Sequence, residues 1–165
     1  DDLVIGLGST LGTTSHIVID EAGHVTKPLQ SAFFGTVGVV SNVTGDSTTY
    51  TYIPSEVVDR NGDFSTSTFT APVTGLYHCF VQPGLHNVNS MMTSGTSSID
   101  TSNRDYNTRI NPYAISSGGH PQFSHSVIAD LDANDTVIFK IEVSGYTLNT
   151  ADADDTTAFG VVLLC

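Results

Sequence analysis

The chain is short of cysteine, tryptophan and charge. Its 165 residues include two cysteines and no tryptophan, and only 13% of them are Asp, Glu, Lys or Arg, about half of the usual share of ~25%. Two cysteines specify neither a disulfide framework nor a zinc knuckle. Because Glu, Lys, Leu and Ala are also sparse, the composition excludes a helical bundle.

Positive charge is especially scarce. Five Lys and Arg residues stand against seventeen Asp and Glu residues, which gives a formal net charge of −12 and a pI near 4.4. Such a charge repels phosphate backbones and anionic lipid surfaces. No apolar run is long enough to span a bilayer. We therefore expect no nucleic-acid partner and no membrane partner.

Threonine, serine, asparagine and glycine take the place of charge, which is typical of β-sheets and turns. Short apolar segments recur along the chain, separated by turn signals. They predict strands at about 32–40, 49–53, 67–71, 75–82, 108–115, 122–131, 135–145 and 156–164. The polar stretch 91–107 is predicted to be a surface loop. The expected fold class is all-β, an antiparallel jelly-roll sandwich.

Residues 1–30 show a different pattern from the rest. Their strand-like stretches, at 16–20 and 24–26, are too short to form a stable sheet alone. We therefore expect an extended connecting or stalk segment at 1–30 that packs against another surface. Residues 31–165 are expected to form the head domain.

No catalytic motif is present, and no enzyme activity is predicted. The chain has neither a Gly-x-Ser-x-Gly elbow nor a glycine-rich loop between a strand and a helix. A glycan hydrolase, the alternative from another class, would need two carboxylates in one cleft. Carboxylates do cluster in turns, where they are expected to be solvated. Calcium is the weaker alternative there, with Asp130, Asp132 and Asp135 as candidate ligands.

The six histidines are scattered along the chain. No two have the spacing of a helix-borne zinc site, so no metal site within one chain is expected. In an oligomer, three copies of His16 or His24 could meet on an axis. Apart from the calcium alternative, no cofactor is predicted.

One spacing pattern stands out. Phe69, Gly75 and Tyr77 follow the order Phe-x5-Gly-x-Tyr, and Asp59 and Phe64 precede them. This pattern resembles the globular head of the complement C1q and tumour necrosis factor (TNF) superfamily. The resemblance covers about residues 31–165.

The chain departs from the superfamily pattern at several positions. Ile53 stands where an aromatic residue is usual, and Cys79 and Val81 replace aromatic residues after Tyr77. The gap from Phe64 to Phe69 is two residues shorter, which suggests a trimmed turn.

The resemblance implies a jelly roll that forms a tight homotrimer and binds proteins, sugars or cell surfaces without catalysis. Strands with apolar residues on both faces also favour an interface, because a single sandwich needs only one apolar face. The predicted interface residues are Phe33, Tyr77, Phe80, Val81 and Phe159. The superfamily's arrangement also places the strands of Cys79 and Cys165 in one sheet but not side by side, so these cysteines are not expected to bridge.

The N-terminal segment carries a second resemblance. Its pattern Ile17-x-Ile19-Asp20-x-x-Gly23-x-Val25-Thr26-x-Pro28 resembles segments in fibre, spike and other virion proteins of tailed bacteriophages. The two resemblances predict a trimeric structural and adhesion domain that is located in the virion. The leading prediction for its role is the receptor-binding tip of a phage tail fibre. The alternatives are a trimeric capsid decoration protein, anchored by this segment, and a secreted C1q-like binding module.

The expected partners are two further copies of the chain and a host-surface glycan or protein, or other virion proteins. Hydroxyl, amide and aromatic groups that can stack on and hydrogen-bond a sugar occur in the stretch 91–107 and in the following turn. The candidate receptor-binding residues are Asn103, Arg104, Tyr106, Asn107, His120 and Gln122.

Overall fold

The structure is a computed structural model that describes residues 2–6, 15–111 and 120–165. These residues contain strands and turns but no helix, so none of them forms a helix that could cross a membrane. The strands in chain order are β1 Leu3–Gly6, β2 Ser15–Ile19, β3 Val25–Thr26, β4 Ala32–Thr36, β5 Val40–Thr44, β6 Thr49–Thr51, β7 Ser55–Arg60, β8 Phe64–Ser65, β9 Thr68–Thr70, β10 Gly75–Gln82, β11 Leu85–His86, β12 Ser94–Thr101, β13 Asp105–Ile110, β14 His125–Leu131, β15 Thr136–Ser144, β16 Ala151–Ala153 and β17 Ala158–Leu163.

The strands form two large antiparallel sheets and two small ones. A five-stranded sheet has the order β14-β10-β17-β4-β7, and a six-stranded sheet follows the path β13-β12-β15-β9-β8, with β6 also paired to β15. β11, β16 and β5 form one small sheet, and β1, β2 and β3 form the other, which we call the N-terminal sheet. The fold is therefore the expected all-β jelly roll.

The core lies between the two large sheets. Along β10 the side chains of Tyr77, Cys79 and Val81 are buried, and the residues between them face outward. Phe159 of β17 and Phe139 of β15 have ring centroids 4.5 Å apart, so aromatic rings join the two sheets directly. Alternation with period two buries one face of each strand in this way.

Most of the predicted strands are present. The predictions at 32–40, 49–53, 67–71, 75–82, 122–131, 135–145 and 156–164 correspond to β4, β6, β9, β10, β14, β15 and β17. The Asn-Gly turn signal is also confirmed, because Asn61 and Gly62 have φ values of 73° and 71°. Positive φ at both central residues is the conformation that an Asn-Gly pair favours.

The predicted loop at 91–107 is wrong. β12 and β13 form a regular hairpin there, with Gly95 paired to Ile110 and Asp100 to Asp105. The inward positions of β12 include Gly95, Ser97 and Thr101, which are small or polar. The sequence of this strand therefore lacks the alternation of apolar and polar residues by which a strand is usually recognised. The first residues of the predicted strand at 108–115 form the end of β13. Residues 112–115 lie outside the described part of the chain.

The sandwich has two ends, which we name by the ends of β10. The proximal end contains Gly75 and the chain terminus, because the Leu76 N–H donates to the Cys165 carbonyl over 2.9 Å. The distal end contains Gln82, the strand pair β11–β16 and the 120–125 segment, where Gly84 pairs with Gln122.

The N-terminal sheet lies toward the proximal end. The Gln30 side-chain amide donates to the Leu163 carbonyl, and the Asn61 side-chain amide donates to the Leu29 carbonyl over 3.2 Å. These contacts connect the segment to the sandwich, while β1, β2 and β3 pair only with each other among the described strands. The division into a segment 1–30 and a head 31–165 stays a prediction.

Both cysteines are free, Cys79 buried and Cys165 exposed. The expectation that their strands are not side by side is wrong, because β10 and β17 are hydrogen-bonded neighbours. The register nevertheless separates the two thiols, since Cys79 is paired with Val161, four residues before Cys165.

Candidate functional site

The structure revises most of the predicted trimer interface. Phe33, Tyr77, Val81 and Phe159 are at most 1% exposed and pack between the two sheets of one chain. They offer no surface to a second copy. Phe80 alone of the five faces outward, because it lies on the opposite side of β10 from Tyr77 and Val81. Alternate residues of a strand face inward and outward. Four of the five predicted interface residues lie on inward faces.

The outward side of the five-stranded sheet is apolar across its width. The strand register places His78 beside Ile128 on one side and Val162 on the other. In the next row, Phe34 is paired with Val58. Ile128 is 59% exposed and Val58 is 40% exposed. We call this surface the apolar outer face; its members are Phe34, Val58, Leu76, His78, Phe80, Ile128 and Val162.

A glycine makes room for two aromatic rings on this face. Phe80 and Phe34 flank β17, where the residue between them is Gly160. Their ring centroids lie 6.2 Å apart with an interplanar angle of 23°. Towards the distal end the rings border a groove of about 440 Å³ that also contains His125. Burial lowers the pKa of His125 below its usual value, which favours a neutral imidazole beside this groove.

The outward side of the six-stranded sheet has the opposite character. Lys140 forms an ion pair with Asp100 over 2.6 Å. The Ser98 hydroxyl donates to the Asn107 side-chain oxygen over 2.5 Å. A groove of about 250 Å³ lies here, and we call its surroundings the polar outer face; the lining residues are Thr49, Thr96, Ser98, Asp100, Asp105, Asn107, Lys140, Ile141 and Glu142.

The predicted receptor-binding residues do not form one cluster. Asn103 and Arg104 lie in the β12–β13 turn near the proximal end, where the Asn103 amide donates to Asp135 over 2.6 Å. His120 and Gln122 lie at the distal end. An eight-residue strand such as β10 separates the two ends by roughly 23 Å. One small ligand cannot contact both groups.

The middle pair of candidates points to opposite sides of β13. Tyr106 is half-buried and packs against the core. Asn107 is exposed and belongs to the polar outer face. Of the six predicted residues, Asn107 is therefore the one that lines this groove.

Of the calcium candidates, Asp130 and Asp132 are exposed and Asp135 is partly buried, and the structure does not bring the three together as a ligand set. Asp130 lies on the outward side of β14, opposite Leu76. The Asp135 carboxylate accepts hydrogen bonds from the Ser102 hydroxyl, the Asp132 backbone N–H and the Asn103 amide, which lower its pKa. Asp135 therefore stabilises turns, and this use explains the carboxylate without an ion.

A different set of side chains meets at the distal end. His86, His120 and Asp154 each present a possible ligand atom, and these atoms lie within 4.8 Å of one another. No other group of three or more such residues was found in the part of the chain that the structure describes. The three residues are separated by 34 positions each, so local spacing gave no signal for them.

Comparisons with known proteins bear on the fold. No protein-family model matches the chain, and no curated protein matches it significantly. The globular domain of zebrafish complement 1qA protein is similar in structure, with a TM-score of 0.55 and 18% identity over 82% of this chain and 98% of that one. Murine APRIL, a TNF-family protein, has a TM-score of 0.56 and 14% identity over 82% of this chain and 99% of that one. The chain therefore has a C1q/TNF-like jelly-roll fold.

Proposed function

We propose that this chain is the trimeric head of a non-enzymatic adhesion protein and forms the receptor-binding tip of a bacteriophage tail fibre. The observation that carries the proposal is the apolar outer face. Exposed apolar patches of several neighbouring residues are uncommon on monomers and mark contact surfaces. Here the patch has a member on each of the five strands, although polar residues such as Asp130 and Arg60 lie at its edges, while the other sheet presents the polar outer face.

The C1q/TNF-like fold supplies the expected number of copies. Domains of this type assemble as trimers and bind receptors, and in a closed ring of three one surface of each copy packs against a different surface of the next. The aromatic pair Phe34 and Phe80 and the exposed Ile128 would then be covered by neighbouring copies. Asp130 at the edge is the one acidic residue directly paired to β10 in the register, so this strand and its partners bring little negative charge to the contact.

The polar outer face suits the recognition of a glycan or a polar protein surface. It presents hydroxyl, amide, ammonium and carboxylate groups within one shallow groove. Such groups donate and accept hydrogen bonds in the way that sugars require. With the apolar outer face covered, this surface and the distal end would remain free in a trimer.

The N-terminal segment supports the virion context. The Ile17–Pro28 pattern resembles phage fibre and virion segments, and the N-terminal sheet lies toward the proximal end of the head. A fibre tip needs this polarity, with its attachment at one end and its binding surfaces away from it. A capsid decoration protein would use the same segment as an anchor on the shell.

Labelling of virions separates these roles. Antibodies raised against the purified chain should label the ends of tail fibres in negative-stain electron micrographs of the phage that encodes it. Antibody pre-adsorbed with the purified chain is the control and should give no label. Label spread over the capsid would support the decoration role and contradict the fibre tip. A chain absent from purified virions would contradict both roles.

A further inference from the structure

The distal end carries a cluster that the proposed function does not use. His86 ends β11, His120 precedes the Gly84–Gln122 bridge, and Asp154 follows β16. The two imidazole rings are stacked, with centroids 4.2 Å apart and an interplanar angle of 16°. Nδ1 of His120 lies 3.4 Å from Oδ2 of Asp154.

The backbone fixes the segments that bring these residues together. The Asp154 N–H donates to the Gly84 carbonyl over 3.0 Å. Oδ1 of Asp154 accepts two hydrogen bonds from Thr156, one from the backbone N–H at 3.0 Å and one from the hydroxyl at 2.8 Å. Oδ1 is therefore occupied, and Oδ2 is directed at the imidazole of His120.

Two hydrogen-bonded carboxylates, Asp152 and Asp154, place negative charge around the cluster. Asp152 and Asp154 are only 4% and 7% exposed. Among the described residues, the ion-pair partners found for these two carboxylates are the imidazoles of His86 and His120, not a Lys or Arg. Buried carboxylates are normally paired with a cation or coordinate a metal. A bound cation would supply positive charge beside these two carboxylates.

We propose that His86, His120 and Asp154 bind a divalent transition-metal ion of the zinc type. Two imidazoles and a carboxylate are a donor set that zinc accepts, whereas calcium and magnesium require mostly oxygen ligands. Oδ2 of Asp152 accepts a hydrogen bond from the Asn87 side-chain amide over 2.6 Å and lies 4.0 Å from Nδ1 of His86, so it adds negative charge next to the site. Three protein ligands leave a fourth position open to water or to a donor group of a bound partner.

The present spacing needs only a small adjustment. Bonds of ~2.0–2.2 Å in a tetrahedral site put neighbouring ligand atoms about 3.3–3.6 Å apart, whereas the possible ligand atoms of the cluster lie within 4.8 Å of one another. The side chain of His120 is 60% exposed and can rotate towards the ion. A bound ion would then tie together three distal segments, around His86, His120 and Asp154.

Calorimetric titration of the full chain with zinc chloride tests the site. One ion should bind per chain, and calcium chloride should give no comparable binding. His120→Ala should weaken the affinity at least about tenfold, since loss even of an orienting partner costs that much. Asp154→Asn, which keeps a side-chain oxygen for the Thr156 bonds, should do the same. His24→Ala is the matched control. His24 is exposed, and its Nδ1 lies 2.8 Å from Oδ2 of Asp20. This pair belongs to no group of three possible ligands among the described residues.

A second readout distinguishes the site from loose surface binding. Excess zinc should raise the melting temperature of the unaltered chain and of His24→Ala, because an ion that binds only the folded state stabilises it. At the same zinc concentration the shift should be clearly smaller in His120→Ala, because a weaker site stabilises the folded state less. The proposal is overturned if binding does not saturate, if His24→Ala weakens it as much as His120→Ala, or if one ion binds per three chains.

Discussion

The two thiols differ in their surroundings, and this difference determines their reactivity. Cys79 lies in the core, where burial raises the pKa of its thiol to about 12, whereas Cys165 is exposed at the chain terminus. Since the thiolate is the reactive form, a thiol reagent at pH 8 should modify one equivalent quickly and the second only after denaturation. Cys165→Ser should remove the fast equivalent. Two fast equivalents, or none in the denatured chain, would contradict this assignment.

At the residue scale, local conformation could be predicted from the sequence, but contacts between residues far apart in the chain could not. The Asn61–Gly62 turn was predictable because the signal is local and the dipeptide itself prefers positive φ. His86, His120 and Asp154 come together only through strand pairing at the distal end, and each is 34 residues from the next. No local pattern contains that information.

At the element scale, β17 depends on having no side chain at one position. A Cβ atom at Gly160 would lie 2.5 Å from the Phe33 carbonyl oxygen and 2.7 Å from Cζ of Phe80. Gly160→Ala should therefore lower the free energy of unfolding by about 1–3 kcal/mol, as overpacking does, in urea denaturation. Gly38→Ala is the control, because its added Cβ meets nothing within 4 Å. We expect it to stay within about 0.5 kcal/mol. Equal stability of the two variants would contradict the close packing at Gly160.

The strands that the sequence predicted and the ones that it missed differ in what they bury. β10 and β15 place large apolar residues on the inner face, so their alternation is visible in the sequence. The buried positions of β12 include Gly95, Ser97 and Thr101. The strand is hydrogen-bonded to β13 on one side and to β15 on the other. Pairing on both sides gives this strand its stability, and pairing partners cannot be inferred from a Ser- and Thr-rich stretch alone. The proposed polar outer face depends on that missed hairpin.

At the scale of the whole molecule, the N-terminal segment contacts the sandwich at its proximal end. The N-terminal sheet has its own strand pairing, and Lys27, Leu29 and Gln30, which follow it in the chain, form the hydrogen bonds described between this segment and the sandwich. A chain that begins at Ser31 should therefore keep its all-β circular dichroism spectrum and its oligomeric state. We expect a fall in melting temperature of no more than a few degrees, the effect of about 1 kcal/mol in a domain of this size. A truncated chain that fails to fold would contradict the division at residue 30.

The overall architecture was predictable because composition, alternation and the Phe69–Tyr77 pattern all favour an all-β jelly roll. Agreement between such independent signals is typical of foldable sequences. The choice of interface was harder. Apolar residues on both faces of β10 indicate an interface, but which face is inner depends on the partner sheet. The prediction therefore named core residues such as Tyr77 and Val81 beside the outward Phe80.

The central claim is that three copies associate through the apolar outer face, and light scattering on the chromatographed chain tests it most directly. The unaltered chain should have three times the 17.4 kDa mass of one copy, about 52 kDa. Phe80→Asp should give a folded monomer, because a carboxylate in a covered apolar contact is strongly unfavourable. Leu148→Asp should remain trimeric, since Leu148 is 68% exposed and lies in the β15–β16 loop away from that face. A monomer of the unaltered chain, or a trimer that survives Phe80→Asp, would contradict the account.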